Sequence, residues 1–311
     1  GVYRAEALFD SDGIDLNRPV ALKVKIEVSG EEMTIDFSEI SDQVTGSINS
    51  GESGAVAAAR VAFKSLVSPY SPIDEGCFRC LKVVIPPGKL LSATPPAAVG
   101  NWSRTLPTVV DLILTALAPA LPEKIPAAHK GDMGGYAFHG VDPLTGRRFL
   151  CQSIMGGGWG GRPHEDGENA TVSVCQGDVQ NAPVELQELN YPVLFEFHRL
   201  REGSGGAGKF RGGLGIEIAV RLLCDGYANI NVERNLCPPW GLSGGEGGKP
   251  ARALVRQSPE DPGRWVTKGR NTPVKKGGVV TFFTAGGGGY GPAGERSPAL
   301  IERDRRQGYV P

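Results

Sequence analysis

The sequence carries only four histidines, and two of them stand close to carboxylates. His129 and Asp132 form an H-x-x-D step, with His139 seven residues further on, and His164 runs directly into Glu165, Asp166 and, after a glycine, Glu168. Imidazole beside carboxylate is the pairing used for proton transfer and for many metal sites. His129, Asp132, His164 and Asp166 are therefore the catalytic candidates. The competing reading for each is a solvated loop side chain, because surface histidines commonly have acidic neighbours. His198 lies inside 193-VLFEFHRL-200 and reads as part of a strand. No G-x-S-x-G elbow occurs, and no Cys/His pairing stands out. Cys77 and Cys80 make a single C-x-x-C without a second pair or histidines at finger spacing, so no metal or ligand set is assigned.

The second chemical signal is glycine, at 45 of 311 residues, about twice ordinary usage. The densest block, 156-GGGWGGRPHEDGENA-170, leads straight into the His164 cluster. Three stretches imitate nucleotide loops. Residues 203-GSGGAGKF-210 nearly spell a phosphate loop, but Phe210 replaces the hydroxyl that would reach magnesium, and strand-like sequence follows where a helix is required. Gly286, Gly288 and Gly291 form G-x-G-x-x-G, yet Pro292 interrupts the turn and no second strand follows. The same spacing at Gly156, Gly158 and Gly161 opens no helix. Two readings of 156–170 remain: a rigid loop lining or bracing a site, with backbone N–H groups close to a reacting oxyanion, or a turn that holds strands together.

Elements to position these residues are legible from periodicity. Residues 20-VALKVKIEV-28 alternate as a half-buried strand, paired through a turn with 33-MTIDF-37. Apolar residues at helical spacing predict a helix near 52–67, capped by Asn49 or Ser50, and another near 107–118 with Pro107 in its first turn. A strand is expected at 81–85. Beyond Lys130 the texture becomes β-rich, with strands expected at 148–154, 171–176, 193–200, 215–223, 227–233, 252–256, 264–268 and 278–284, then helix near 298–306. The expectation is an α+β protein: a mixed part over 1–130, a β-rich part over 131–296 and a helical tail over 297–311.

Composition narrows the function. A net charge of −1 with dispersed Lys and Arg argues against nucleic acid. The longest apolar run, 106-LPTVVDLILTALAPAL-121, is too short and too interrupted to span a bilayer. No signal peptide opens the chain, and six scattered cysteines suit a reduced, cytoplasmic protein.

The glycine blocks, taken in order, carry a resemblance. The chain resembles the hydantoinase B family, the B-type subunit of ATP-dependent hydantoinases and 5-oxoprolinases, with related subunits in acetone- and acetophenone-type carboxylases. The matching blocks are 35-IDFSEISDQVTGSIN-49, 111-DLILTALAPALPEKIPAA-128, 155-MGGGWGGRPHEDGENA-170, 181-NAPVELQELNYP-192, 201-REGSGGAGKFRGGLG-215, 234-RNLCPPWGLSGGEGG-248 and 286-GGGGYGPAGER-296. The chain departs from the family at Cys80, where proline is usual. It also resembles only the C-terminal half of such a subunit, so the family's metal-binding histidines and aspartates are expected in the N-terminal remainder.

The resemblance implies ATP and magnesium on an A-type partner chain, any divalent metal held mostly outside this chain, and a small-molecule substrate. The implied activity is the opening of a cyclic amide (hydantoin, 5-oxoproline or another lactam). Its alternatives are carboxylation of a ketone and a non-catalytic role in assembly. Asn49, Glu185 and Arg211 lie within the matching blocks and become candidates for substrate contact. For Arg211 a structural ion pair is an equal alternative.

Overall fold

A computed structural model describes residues 1–311 except Asn101, Asp178 and Pro311, the last residue of the expected tail; for Trp102 it describes the backbone alone. Among the described residues four α-helices and thirteen strands form three sheets, an α+β fold. The chain divides into two units, Gly1–Pro126 and Ala127–Pro311.

Unit 1 is a four-stranded sheet with two helices. The strands β1 (Val2–Phe9), β2 (Val20–Ser29), β3 (Glu32–Asp36) and β4 (Leu81–Val84) lie in that order; β1, β2 and β3 are antiparallel, and β4 runs parallel to β3. The alternation read in β2 puts Leu22, Val24 and Ile26 in the core. Helix α1 (Glu52–Val67) buries Ala55, Ala58, Ala59, Ala62, Phe63 and Leu66, one stripe at helical spacing. Its cap is Gly51, with no side-chain bond; the expected caps are engaged elsewhere, Ser50 Oγ donating to the Gly51 carbonyl at 3.0 Å. Helix α2 (Trp102–Leu117) begins a turn and a half before the expected start, so Pro107 falls inside it. One missing N–H there removes one intrahelical bond, while Val109, Val110, Leu112 and Ile113 are all buried.

Unit 2 is built on two antiparallel sheets. One runs β11 (Arg264–Val266), β10 (Arg252–Arg256), β13 (Val279–Phe283), β8 (Ile216–Leu222), β7 (Val193–Leu200); the other runs β12 (Lys268–Val274), β9 (Gly226–Asn231), β5 (Gly135–Val141), β6 (Arg148–Ile154). Their apolar faces share one core, in which the Phe138 and Phe282 rings meet edge to face at 6.2 Å and Val220 and Ile230 are buried. Helix α3 (Val184–Asn190) docks through Gln187, which accepts from Tyr136 Oη at 2.8 Å. Helix α4 (Pro298–Arg306) is capped by Ser297, whose side chain accepts from the Leu300 amide. The expected strand at 171–176 does not form: Thr171 makes a single bridge to Gly157, and Ser173 and Gln176 close a turn.

The glycine blocks are one assembly. Residues 286–290 carry no ladder, yet their amides donate in rotation to three neighbouring segments. Gly286 and Gly289 donate to the carbonyls of Lys249 and Glu246; Gly287 and Tyr290 donate to those of Gly213 and Phe210; Gly288 donates to Ala128. A repeat of three is the turn of an extended three-fold helix, whose donors radiate to surrounding chains instead of lying in one plane. The neighbours answer: Gly158, Gly161, Gly206 and Leu242 donate back to Ala285, Gly288, Gly287 and Gly289. A side chain has no room in this arrangement. A Cβ at Gly287 would stand 1.8 Å from the Trp159 carbonyl, and one at Gly288 would stand 1.9 Å from that of Trp240. This bundle takes up the amides of Gly157, Gly158, Trp159 and Gly161 with protein carbonyls.

Candidate functional site

The bundle fixes the candidates of unit 2. Ala127 donates to the Gly161 carbonyl and Lys130 to that of Gly158, both at 2.9 Å, so the 127–132 segment is stitched along the glycine block. The buried His129 ring packs edge-on against Trp159, centroids 5.7 Å apart. Gly131 turns the chain at φ +77°, where a Cβ would strike the Arg234 guanidinium at 2.0 Å. Asp132 then accepts from the Glu233 amide at 3.1 Å, while its other oxygen lies 3.6 Å from Lys130 Nζ. Lys130, only 1% exposed, donates to the carbonyls of Met133 at 2.9 Å and Met155 at 2.6 Å. Glu233 pairs with Lys268, both buried, and the Arg234 guanidinium sits 4.7 Å from the centre of the Trp240 ring.

An imidazole, a carboxylate and an ammonium therefore occupy four consecutive positions, held by backbone on one side and ion pairs on the other. Buried ionisable groups gathered this densely make the segment a candidate functional site. The sequence reading found His129 and Asp132 but missed Lys130, Glu233 and Lys268. Lys130 lay between the two candidates it did single out; Glu233 follows the end of β9 by two residues and Lys268 opens β12, and the pairing of those two strands was not legible.

Asp166 and Arg211 come together in a different arrangement. Asp166 accepts from Arg296 through both oxygens, at 2.7 and 2.9 Å, from the Arg211 amide at 2.7 Å, and from Arg303. Asp304, 2% exposed, accepts from Arg296 and lies 3.6 Å from Arg211 Nε. Burial pushes the Asp166 carboxyl up, but the Arg296 hydrogen bonds and charge and the Arg211 amide outweigh it and hold the group below the usual carboxylate value. The Arg211 guanidinium donates to the Gly212 carbonyl and Asn169, and burial lowers its pKa against the opposing pull of Asp304 and Asp166. These two residues thus clamp α4 to the glycine block. His164, two positions from Asp166, is exposed.

Glu185 is exposed in the first turn of α3. Asn49 belongs to unit 1 and is fully buried. Its amide nitrogen donates to the carbonyls of Val44, Gly46 and Ala98, and its oxygen accepts from the Val44 amide. That set uses the whole side chain on local backbone, so Asn49 is a structural staple.

Among the described residues no three His, Cys, Asp or Glu side chains gather as a metal-binding group. His129 and Asp132 thus do not by themselves fit a metal ion. All six cysteines are free, Cys77 and Cys80 included. No helix among the described residues is long and apolar enough to cross a membrane.

Two units, one mixed and one a β-sandwich locked by a glycine bundle, define an α+β protein of glycine-braced architecture. The chain belongs to the hydantoinase B/oxoprolinase family, whose model matches residues 1–293. It is similar to 5-oxoprolinase 1 of Arabidopsis thaliana, 31% identical over 285 residues, covering 91% of this chain and 21% of that protein. It is also similar to the crystal structure of an ATP-dependent caprolactamase from Pseudomonas jessenii, with a TM-score of 0.89 and 27% identity, covering 100% of this chain and 55% of that one. A nucleotide-free structure of acetone carboxylase shares the fold, with a TM-score of 0.84 at 16% identity, covering 100% of this chain and 48% of that one. The chain spans about half or less of the length of the relatives it matches.

Proposed function

We propose that this chain forms part of the B-type subunit of an ATP-dependent cyclic-amide hydrolase acting on a hydantoin, 5-oxoproline or another lactam. An A-type partner chain binds ATP and magnesium and activates the amide carbonyl. The remainder of the B-type subunit completes the site. The likeness to an ATP-dependent caprolactamase along the whole chain carries this reading. The six free cysteines support a cytoplasmic setting.

Within the chain, the His129–Asp132 step is the part assigned to the chemistry. Ring opening of an activated amide needs a group that takes a proton from water and a cation beside the developing oxyanion. His129 supplies the first, and Lys130, its ammonium taken up by the Met133 and Met155 carbonyls and Asp132, fixes the segment that carries it, leaving the cation to the rest of the assembled site. Asp166 and Arg211 are assigned to bracing, His164 and Glu185 to the surface.

The test is reconstitution with the A-type chain and the B-type remainder, reading ADP release and product together. A ring-opened acid formed without bicarbonate supports the proposal; a carboxylated ketone formed only with bicarbonate transfers the chain to the carboxylases. His129→Gln and Asp132→Asn each lower turnover per assembled complex by about tenfold or more. Asp166→Asn and Arg211→Lys lower the yield of complex and leave its turnover in place. Unchanged turnover in the first pair removes the catalytic assignment.

A further inference from the structure

The C-x-x-C pair of unit 1 has no part in the amide reading, and the fold gives it a geometry that spacing alone left open. Cys77 lies in a short 3-10 helix, Glu75–Phe78, and Cys80 is the residue before β4. Arg79, between them, keeps helical backbone at φ −59°, ψ −33°. The two cysteines are therefore one helical turn apart, and in so tight a turn side chains three positions apart eclipse. Their Cα atoms stand about 5–6 Å from each other, inside the span that a disulfide bridges.

Contacts at both ends hold this turn. The Asp74 side chain accepts from the Cys77 amide at 3.0 Å, and the Arg79 amide donates to the Gly76 carbonyl at 3.4 Å. Further on, the Cys80 carbonyl accepts from the Met33 amide at 2.8 Å, which ties the second cysteine to β3. The Phe78 ring lies under the Arg60 guanidinium at 4.6 Å, and Arg60 is itself fixed by both oxygens of Glu75, at 2.9 and 2.8 Å. The two thiols are thus kept as neighbours by the backbone around them.

Access is the second condition. Cys77 and Cys80 are both partly exposed and both free, and the Cys77 thiol makes only a long contact, 3.5 Å from the Pro72 carbonyl. Cys151 and Cys224 are buried, and no other two cysteines lie within one turn of each other in the sequence. A Cys77–Cys80 bond would close a ring over a single turn. So short a loop removes little freedom from the unfolded chain, and the bond suits exchange better than reinforcement.

We propose that Cys77 and Cys80 form a thiol–disulfide exchange site whose substrate is a low-molecular-weight disulfide. One protein thiol, as its thiolate, attacks the substrate. A mixed disulfide forms, and half of the substrate leaves as a thiolate that takes up a proton. The second protein thiol gives its proton to solvent, attacks the mixed disulfide and releases the other half, which is protonated in turn. The pair has then lost two electrons and two protons, and the substrate has become two thiols. The inference stands on unit 1 alone and is independent of the amide reading, since its readout is the mass of one peptide and not turnover.

Equilibration of the full chain in glutathione buffers of rising disulfide content tests it, followed by acid quenching, alkylation of the unfolded chain and mass mapping. In the wild type, the peptide that carries Cys77 and Cys80 is expected to pass from doubly alkylated to two hydrogens lighter, without bound glutathione, and dithiothreitol reverses the change. Cys77→Ser and Cys80→Ser each leave one thiol with no partner, and each retains about tenfold or more glutathione on this peptide than the wild type does in the same buffer. The wild-type peptide decides by itself if either variant fails to fold. A wild-type pair that stays a dithiol in the most oxidising buffer, or that retains glutathione on both cysteines, overturns the proposal.

Discussion

Arg296 grips Asp166 with both terminal nitrogens, at 2.7 and 2.9 Å, across 130 residues of sequence. The pair joins the densest glycine block to the segment that leads into α4, and Asp304 and Arg211 close the network behind it. A buried network of this kind costs most when one partner is removed, because the charges left behind lose their compensation.

Asp166→Asn therefore destabilises unit 2 by about 3–5 kcal/mol, measured by urea unfolding against wild type. The pH dependence follows from the direction of its pKa. Asp166 is held below the ordinary 3.8 in the folded chain. Its stabilisation is then complete above that value and is lost as pH falls through the lower, folded one. The gap between wild type and variant stays level from neutrality down to about pH 4 and narrows below it. A gap that already narrows near neutrality would assign the effect to another group.

Gly288→Ala and Gly294→Ala form a matched pair. A methyl at 288 would lie 1.9 Å from the Trp240 carbonyl, whereas one at 294 meets nothing within 4 Å. The first loses about 3 kcal/mol or more, the upper range for overpacking against rigid backbone, and the second changes the thermal midpoint little. Equal effects at the two positions would mean that the bundle tolerates side chains.

Asn49→Ala acts on unit 1. It strips partners from the Val44 amide and from the carbonyls of Val44, Gly46 and Ala98. The cost is about 2–4 kcal/mol, because buried polar groups left unmade are penalised beyond the bonds themselves. Denaturant curves register it, while KM of the assembled complex stays put; a raised KM with intact stability would return Asn49 to the substrate.

Thiol reactivity separates the cysteines. Burial pushes the Cys151 thiol up to about 11 and encloses it beside Gln187, whereas Cys77 and Cys80 are partly exposed. An alkylating reagent at neutral pH labels Cys77 and Cys80 in the native chain and reaches Cys151 only after unfolding, since the thiolate is the nucleophile. Mass mapping of labelled peptides reads the order.

Much of the fold was legible where one face of an element is buried and the other wet. Strand β2 and helix α1 show this, their burial following the alternation and the helical stripe. Strand β1 was missed: its burial alternates, but the inward Tyr3, Ala5 and Ala7 are only half-buried and small or polar, while Val2 and Leu8 face outward, so the sequence hides the period. Residues 171–176 have a strand's composition but no partner ladder, and pairing is not a local property. The start of α2 was misplaced because proline is most familiar in the first turn, whereas here it sits deeper.

The same limit applies to the candidate residues. His129 and Asp132 are neighbours in sequence, so their association could be seen; Asp166 and Arg296 meet only in three dimensions. The glycine blocks stood out in the sequence, but their union in one bundle did not, since the bundle has no apolar period and its repeat of three lives in the directions of backbone donors.

That repeat has a temporal consequence. The amides of Gly158, Gly161, Gly206 and Leu242 all await carbonyls at 285–289, and Asp166 awaits Arg296. During translation those acceptors follow the donors they serve and come directly after β13, so the five-stranded sheet gains its middle strand and the sandwich its keystone together. A ribosome stalled ahead of residue 279 would hold a chain rich in unpaired backbone, and protease resistance of unit 2 should arrive abruptly once residues 279–289 are free of the tunnel instead of accruing strand by strand.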